Sequence, residues 1–342
     1  MAIRKPGQAW ARVSLVLAAL LLIALPFGGA APFTITLLTE ALICAIWAMS
    51  LDILVGYTGL VTFGHAAAFG FAAYVAGYFA REANPDFLLA LLAAEIATVG
   101  VAVVIGFVAT RVSGVAFAII SLCIAQVLFQ IAVGWRSVTG GMDGMVGVPL
   151  PKILGMKIGV GNDFYLLTVA CVILVYLALA RLVDSPFGRT LQAIRTNEER
   201  AASIGINVRL HKWLAFVISW AISGVAGTLM VFLKAGTTPL SLHWSESGNV
   251  LIMAIFGGIG TLFGPAVGAV VFVFLRDEFT TTFKQAWQLA FGLVFVIVVL
   301  AFPTGLAGIA ERLLNLLRRA PFAAGVSAAF GRVRKGVWRA RS

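Results

Sequence analysis

The sequence predicts an all-α, polytopic membrane protein of about ten transmembrane helices. Two observations carry this. Of 342 residues, 61% are hydrophobic and only 11% are charged, with a mean hydropathy of +1.01; soluble domains carry about 25% charged residues. The apolar residues also fall in repeated runs of about 20, the length that crosses a bilayer as a helix. A β-barrel would show short alternating segments instead.

Taken in order, apolar spans are expected at roughly 12–30, 33–55, 57–80, 87–109, 114–134, 163–182, 213–234 and 286–302. The basic start, apolar run and small residues around Gly28 to Ala31 mimic a secretory signal, but an uncleaved first span fits a multispanning chain better. The segment 248–275 is long and broken, with Gly257, Gly258, Gly260, Gly264 and Pro265 in its middle. Read as two helices around a Gly-rich reversal, one or both half-length and packed inside the protein, it brings the count to about ten. Both ends then fall on one side, which suits the charges. Arg4, Lys5 and Arg12 open the chain; Arg312, Arg318, Arg319, Arg332, Arg334, Lys335, Arg339 and Arg341 close it. Basic residues mark the cytoplasmic side. The net charge of +11 is therefore a topology signal, with anionic membrane lipid as a contact for the tail, and not a nucleic-acid signal. The division is 1–32 as N-terminal segment and first span, 33–310 as transmembrane domain, and 311–342 as basic cytoplasmic tail.

The loop 183–212 is expected inside and the Gly- and Pro-rich loop 135–162 outside. In the inner loop Pro186 and Gly188 break the preceding helix. Leu191, Ile194, Ala201 and Ala202 then recur at roughly helical spacing between charges, and Gly205 stops the pattern. The expectation is one short amphipathic helix, a handle for a soluble partner.

A second broken region begins at Gly56, with Gly59, Gly64 and Gly70 interrupting the third span. Gly-interrupted segments in two halves of a chain point to a transporter's substrate path. Among ionisable residues in the spans, His65 has two readings, substrate path or a hydrogen bond bracing broken backbone. Glu95 is expected to pair with another helix or subunit, and Glu40 and Asp52 to be interfacial carboxylates. Cys44, Cys123 and Cys171 lie in apolar runs without metal spacing. Glu40, Asp52, His65 and Glu95 form no recognisable catalytic or metal set, which disfavours an enzyme.

At these residues the chain resembles a known family. Gly56-Tyr-Thr-Gly-Leu-Val-Thr-Phe-Gly-His-Ala is similar to the Gly-Tyr-x-Gly-x-x-Ser-Phe-Gly-His-Ala signature of the branched-chain amino acid permeases of ABC importers, LivM type. Thr139-Gly-Gly-Met-Asp-Gly-Met-Val-Gly-Val-Pro149, the coupling loop from Ser185 to Glu198, and Gly257-Gly-Ile-Gly-Thr-Leu-Phe-Gly-Pro-Ala match the family in order, over about 33 to 310. Thr62 stands where Ser is commoner and Leu60 where Gln is common.

The resemblance implies a type II ABC importer fold. It implies a second permease subunit of similar fold, two cytoplasmic ABC ATPase subunits and a periplasmic binding protein, in a bacterial inner membrane. The chain carries no Gly-x-x-x-x-Gly-Lys-Ser/Thr loop. It is expected to bind no cofactor and to draw on ATP used by the ATPase subunits. The implied substrate path is Gly59, Thr62, Phe63, Gly64 and His65 with Gly257, Gly258 and Gly260. The implied ATPase coupling residues are Gly188, Arg189, Ala193, Ile194, Arg195, Asn197, Glu198, Ala201, Ala202 and Gly205. Of these, Ala193, Ile194, Ala201 and Ala202 would enter a cleft on the ATPase, flanked by charge pairs from Arg195 and Glu198, with Leu191 packed back on the membrane domain. Gly141, Asp143 and Gly144 would dock the binding protein. The rivals are the same architecture for urea, short amides or sugars, and an ion-coupled secondary transporter.

Overall fold

A computed structural model describes residues 31–283 apart from Leu154, with scattered positions at 26 and between 286 and 308. The expected spans at 12–30 and 286–302 and the basic tail lie outside the continuously described residues.

The helices are α1 (Pro32–Asp52), α2 (His65–Glu82), α3 (Phe87–Ala109), α4 (Gly114–Gly134), the single turn α5 (Arg136–Thr139), α6 (Asn162–Asp184), α7 (Pro186–Thr196), α8 (Glu198–Ser203), α9 (Val208–Lys234), α10 (Trp244–Gly257) and α11 (Phe263–Phe283). A π-helical stretch, Ile53–Thr58, continues α1. Among the described residues, five segments are long and apolar enough to cross a membrane: Pro32–Thr58, Phe87–Ala109, Gly114–Gly134, Asn162–Asp184 and Val208–Lys234.

Burial sorts these spans. The most apolar stretch of Pro32–Thr58 is 94% buried and that of Val208–Lys234 is 67% buried, against 22–28% for the other three. The axis of the molecule is therefore α1 beside α9, with α2 and α11 packed on them. Helices α3, α4 and α6 form the rim. Their outward faces carry Leu92, Ile96, Val104, Ile119, Val127 and Leu174, a composition that suits lipid. Glycine sets the closest approaches. A Cβ on Gly227 of α9 would lie 2.0 Å from the Phe69 carbonyl oxygen of α2. Bare backbone there lets the two helices meet without side chains between them. Gly224 in the same way leaves room for the Glu95 carboxylate of α3.

The segment 248–275 is a reversal. Gly257 faces Gly264, and Gly268 faces the Met253 carbonyl, so α10 and α11 pack antiparallel. α10 has 14 residues and is about 21 Å long, short of the roughly 30 Å hydrocarbon layer. α11 has 21 residues and, at about 31 Å, matches that layer in length.

One expectation needs correction and one is extended. The third span does not begin at 57. Gly59 takes a left-handed conformation (φ 78°) that stops α1, and helix resumes only at His65. Glu40, expected only as an interfacial carboxylate, is the hub of an ion triad. It is 8% exposed and accepts from Lys234 Nζ of α9 and Arg276 Nη2 of α11, each at 2.5 Å. This ion triad ties three helices at the end of the bundle opposite Asp52. Glu40→Ala leaves two cations facing each other. Allowing for solvent at the half-exposed Lys234, the expected cost is about 1–3 kcal/mol, read as a lowered thermal transition in detergent.

Candidate functional site

The two glycine-rich breaks meet. Asp52, at the end of α1, is fully buried. Its carboxylate accepts from Gly260 N at 2.7 Å and Leu262 N at 3.2 Å, both in the α10–α11 turn. Asp52 is thus a clamp across two elements, not the interfacial carboxylate expected. Gly56 makes the clamp possible: a Cβ there would sit 2.0 Å from Asp52 Oδ1 and 2.7 Å from Gly260 N. The clamped turn is unusual backbone. Gly258 (φ 110°), Gly260 (φ 85°) and Leu262 (φ 54°) all have positive φ, and for leucine that conformation persists only when its surroundings enforce it.

Arg195 of α7 closes this junction from the loop side. Its Nη1 donates to the Gly56 carbonyl, its stem lies against Gly59, and its guanidinium lies near Gly260. Gly56, Tyr57, Val183, Gln192, Arg195, Thr196 and Gly260 line a cavity of about 420 Å³ at this face.

The other half of the first break is held by hydroxyl groups. Phe63 N donates to Ser121 Oγ of α4 at 3.0 Å, and Gly64 N to Thr62 Oγ1 at 3.1 Å. Ala66 N, in the first turn of α2, donates to Ser247 Oγ of α10 at 2.8 Å. Gly64 packs on the Ser121 carbonyl, which a Cβ would approach to 2.4 Å. His65 is fully buried, with Nε2 2.7 Å from Ser50 Oγ. Ser50 has one hydroxyl proton and gives it to the Trp47 carbonyl at 2.6 Å. His65 Nε2 therefore carries the proton it shares with Ser50, and Nδ1 is an acceptor without a protein partner. His65 thus ties the first turn of α2 to α1 through Ser50. Of the eight residues named for a substrate path, Gly59 is exposed, Phe63 and Gly260 are half-buried, and Thr62, Gly64, His65, Gly257 and Gly258 are packed inside.

The inner loop differs from the single helix expected. Asn197 is extended (φ −161°) and separates α7 from α8. Its side chain accepts from Arg200 N at 2.8 Å and caps α8. The signal was present: Asn followed by Glu198 and Glu199 is a helix start. Ser185 likewise caps α7 ahead of Pro186, with Gly188 N at 3.4 Å from its hydroxyl. Gly188 packs on the Val183 carbonyl (2.3 Å for a Cβ), and Gly205 has φ 89°.

The faces are also reassigned. Ile194 and Ala201 are 3% exposed and lie, like Leu191, against the membrane domain. Ala193, Ala202 and Arg189 point outward, with Gln192, Thr196 and the 73% exposed Ile204. Arg195 and Glu198 remain exposed but also reach partners on the membrane domain. Glu198 Oε2 meets Lys212 Nζ at 2.5 Å and Ser113 Oγ at 3.1 Å, and Lys212 also donates to Ser113 at 2.6 Å. The loop is thereby pinned at Gly56 and at the α3–α4 turn.

With this geometry in place, comparison with known proteins is direct. Residues 33–302 match the family described as branched-chain amino acid transport system / permease component. The chain belongs to this family. As a family member it is a multi-pass membrane permease. It is 27% identical over 306 residues to the high-affinity branched-chain amino acid transport system permease protein LivM of Escherichia coli (strain K12), covering 83% of this chain and 72% of that one. It is 27% identical over 330 residues to the Salmonella typhimurium protein of the same name, covering 88% and 76%. The ribose import permease protein RbsC of Haemophilus influenzae is 25% identical over 154 residues, covering 43% of this chain and 46% of the relative. No solved structure matches the chain.

At the opposite face of the permease, β1 (Met145–Val146) pairs antiparallel with β4 (Gly236–Thr237), and β2 (Lys152–Ile153) with β3 (Met156–Lys157). Gly141 and Gly144 are buried, and a Cβ on Gly144 would lie 2.4 Å from the Thr237 carbonyl oxygen. Asp143 and the 63% exposed Met142 project between them in a 3₁₀ turn. No group of His, Cys, Asp or Glu suited to a metal lies among the described residues. Sequence reasoning missed Ser50, Ser113, Ser121, Lys212 and Ser247. Each joins its own helix or turn to another element, and no local pattern marks it.

Proposed function

We propose that this chain is one of two membrane-spanning subunits of an ABC importer for branched-chain amino acids in a bacterial inner membrane. Two ATPase subunits dock on the α7–α8 face and use ATP, and a periplasmic binding protein docks at the 141–144 turn. One observation supports the reading above others: α7 presents an outward face to solvent while its Arg195 reaches the junction of both breaks. A soluble motor on α7 thus has a direct mechanical route to the broken helices. Closure of the ATPase pair biases the permease between inward- and outward-facing packings.

A zwitterionic substrate needs polar groups on its way, and broken helices supply free amide and carbonyl groups. Selection among aliphatic side chains is weak, because one methylene is worth about 1–3 kcal/mol. The binding protein therefore carries most selectivity. The LivM relatives cover far more of the chain than the ribose permease does, which favours amino acids over sugars.

Uptake of labelled leucine into vesicles holding the whole complex tests the substrate. Isoleucine and valine are expected to compete, and ribose and urea to have no effect. Uptake of ribose or urea with no uptake of leucine would overturn the assignment.

A further inference from the structure

The importer reading leaves open how motion of α7 reaches the α10–α11 turn. We propose that Asp52 is the positioning residue of that step: it joins the Arg195 side chain and the Gly258–Leu262 turn into one mechanical unit. The inference rests on the importer reading.

Four observations carry it. Both Asp52 carboxylate oxygens are spent on backbone N–H groups of one turn, Gly260 and Leu262. That turn holds three positive-φ residues, one of them Leu262, so it keeps its shape only while clamped. Arg195 is bonded to the Gly56 carbonyl, one helical turn from Asp52. Gly56 contributes no side chain, so nothing stands between carboxylate, turn and guanidinium.

The consequence is a linked response. A buried carboxylate is costly unless hydrogen-bonded, so Asp52 holds to the Gly260 and Leu262 N–H groups. When α7 shifts, Arg195 carries the Gly56 carbonyl, and Asp52 one helical turn away carries the turn it clamps. Displacement of a loop helix thereby becomes displacement of the hairpin Trp244–Phe283. The second anchor, Glu198 with Lys212 and Ser113, holds the far end of the loop. It makes the Arg195 end the one that transmits.

The test uses the complete complex in proteoliposomes and measures leucine transported per ATP hydrolysed. Wild-type complex must first show ATP-driven uptake; failure there counts against the importer reading and not against Asp52. Asp52→Asn and Arg195→Gln are each expected to lower the ratio about tenfold or more. The double variant is expected to do no worse than the weaker single one, because both break one link. Losses that multiply would overturn the proposal. So would variants of lowered thermal stability whose transport per ATP stays at the wild-type value, since a purely structural residue behaves that way. A second measurement does not depend on the Asp52 variant folding. Spin labels at Gln192→Cys and Phe263→Cys are expected to keep their separation between nucleotide-free and ATP-bound complexes. A change of more than about 5 Å, one helical turn, would show that α7 and the hairpin move independently.

Discussion

A Gly257→Val permease is expected to lose its folded state, while Gly248→Val on the same helix is expected to keep it. A Cβ at Gly257 would lie 1.8 Å from the Gly264 carbonyl oxygen, 2.3 Å from its carbon and 2.8 Å from Pro265 N, whereas at Gly248 nothing lies within 4 Å. Overpacking in a core costs about 1–3 kcal/mol when side chains can yield. Here every obstructing atom is backbone, and the turn beyond is already clamped by Asp52. The expected penalty exceeds about 3 kcal/mol, beyond what repacking recovers. Monodisperse yield in detergent is the readout. Equal yields for the two variants would mean that α10 and α11 do not touch at Gly257.

The second large effect separates the two faces of the inner loop. Ile194→Asp puts a carboxylate where the side chain is 3% exposed. An unpaired buried charge costs several kcal/mol, so this variant is expected to unseat α7 and lower the thermal transition of the permease alone. Ile204→Asp acts on a side chain that is 73% exposed. It is expected to leave the transition within about 0.5 kcal/mol of wild type and to reduce ATPase copurification. Copurification retained by Ile204→Asp and Ala202→Asp together would remove this face as the docking surface.

Much of the fold is legible in apolar runs. The expected spans at 87–109 and 114–134 coincide with α3 and α4, and 163–182 and 213–234 fall within α6 and α9. Rim helices read clearly because lipid-facing positions are apolar throughout. The start of α2 does not, because Leu60, Val61 and Phe63 are as apolar as any helix. The positive φ of Gly59 fixes where the helix stops. Both breaks were visible as glycine clusters. Their meeting was not, since it depends on Asp52 reaching residues 208 and 210 positions away. The inner loop was recognisable by its charges, yet its faces were misjudged. A helix of small and apolar residues looks alike whether it packs inward or outward, and the division at Asn197 turns α8 relative to α7.

Leucine uptake into vesicles carrying this permease with its partner permease, ATPase and binding-protein subunits tests the central claim most directly. The account predicts uptake that needs ATP inside the reconstituted system and the loaded binding protein outside, and that persists when proton and sodium gradients are collapsed. Uptake that continues without ATP and follows either gradient would contradict it.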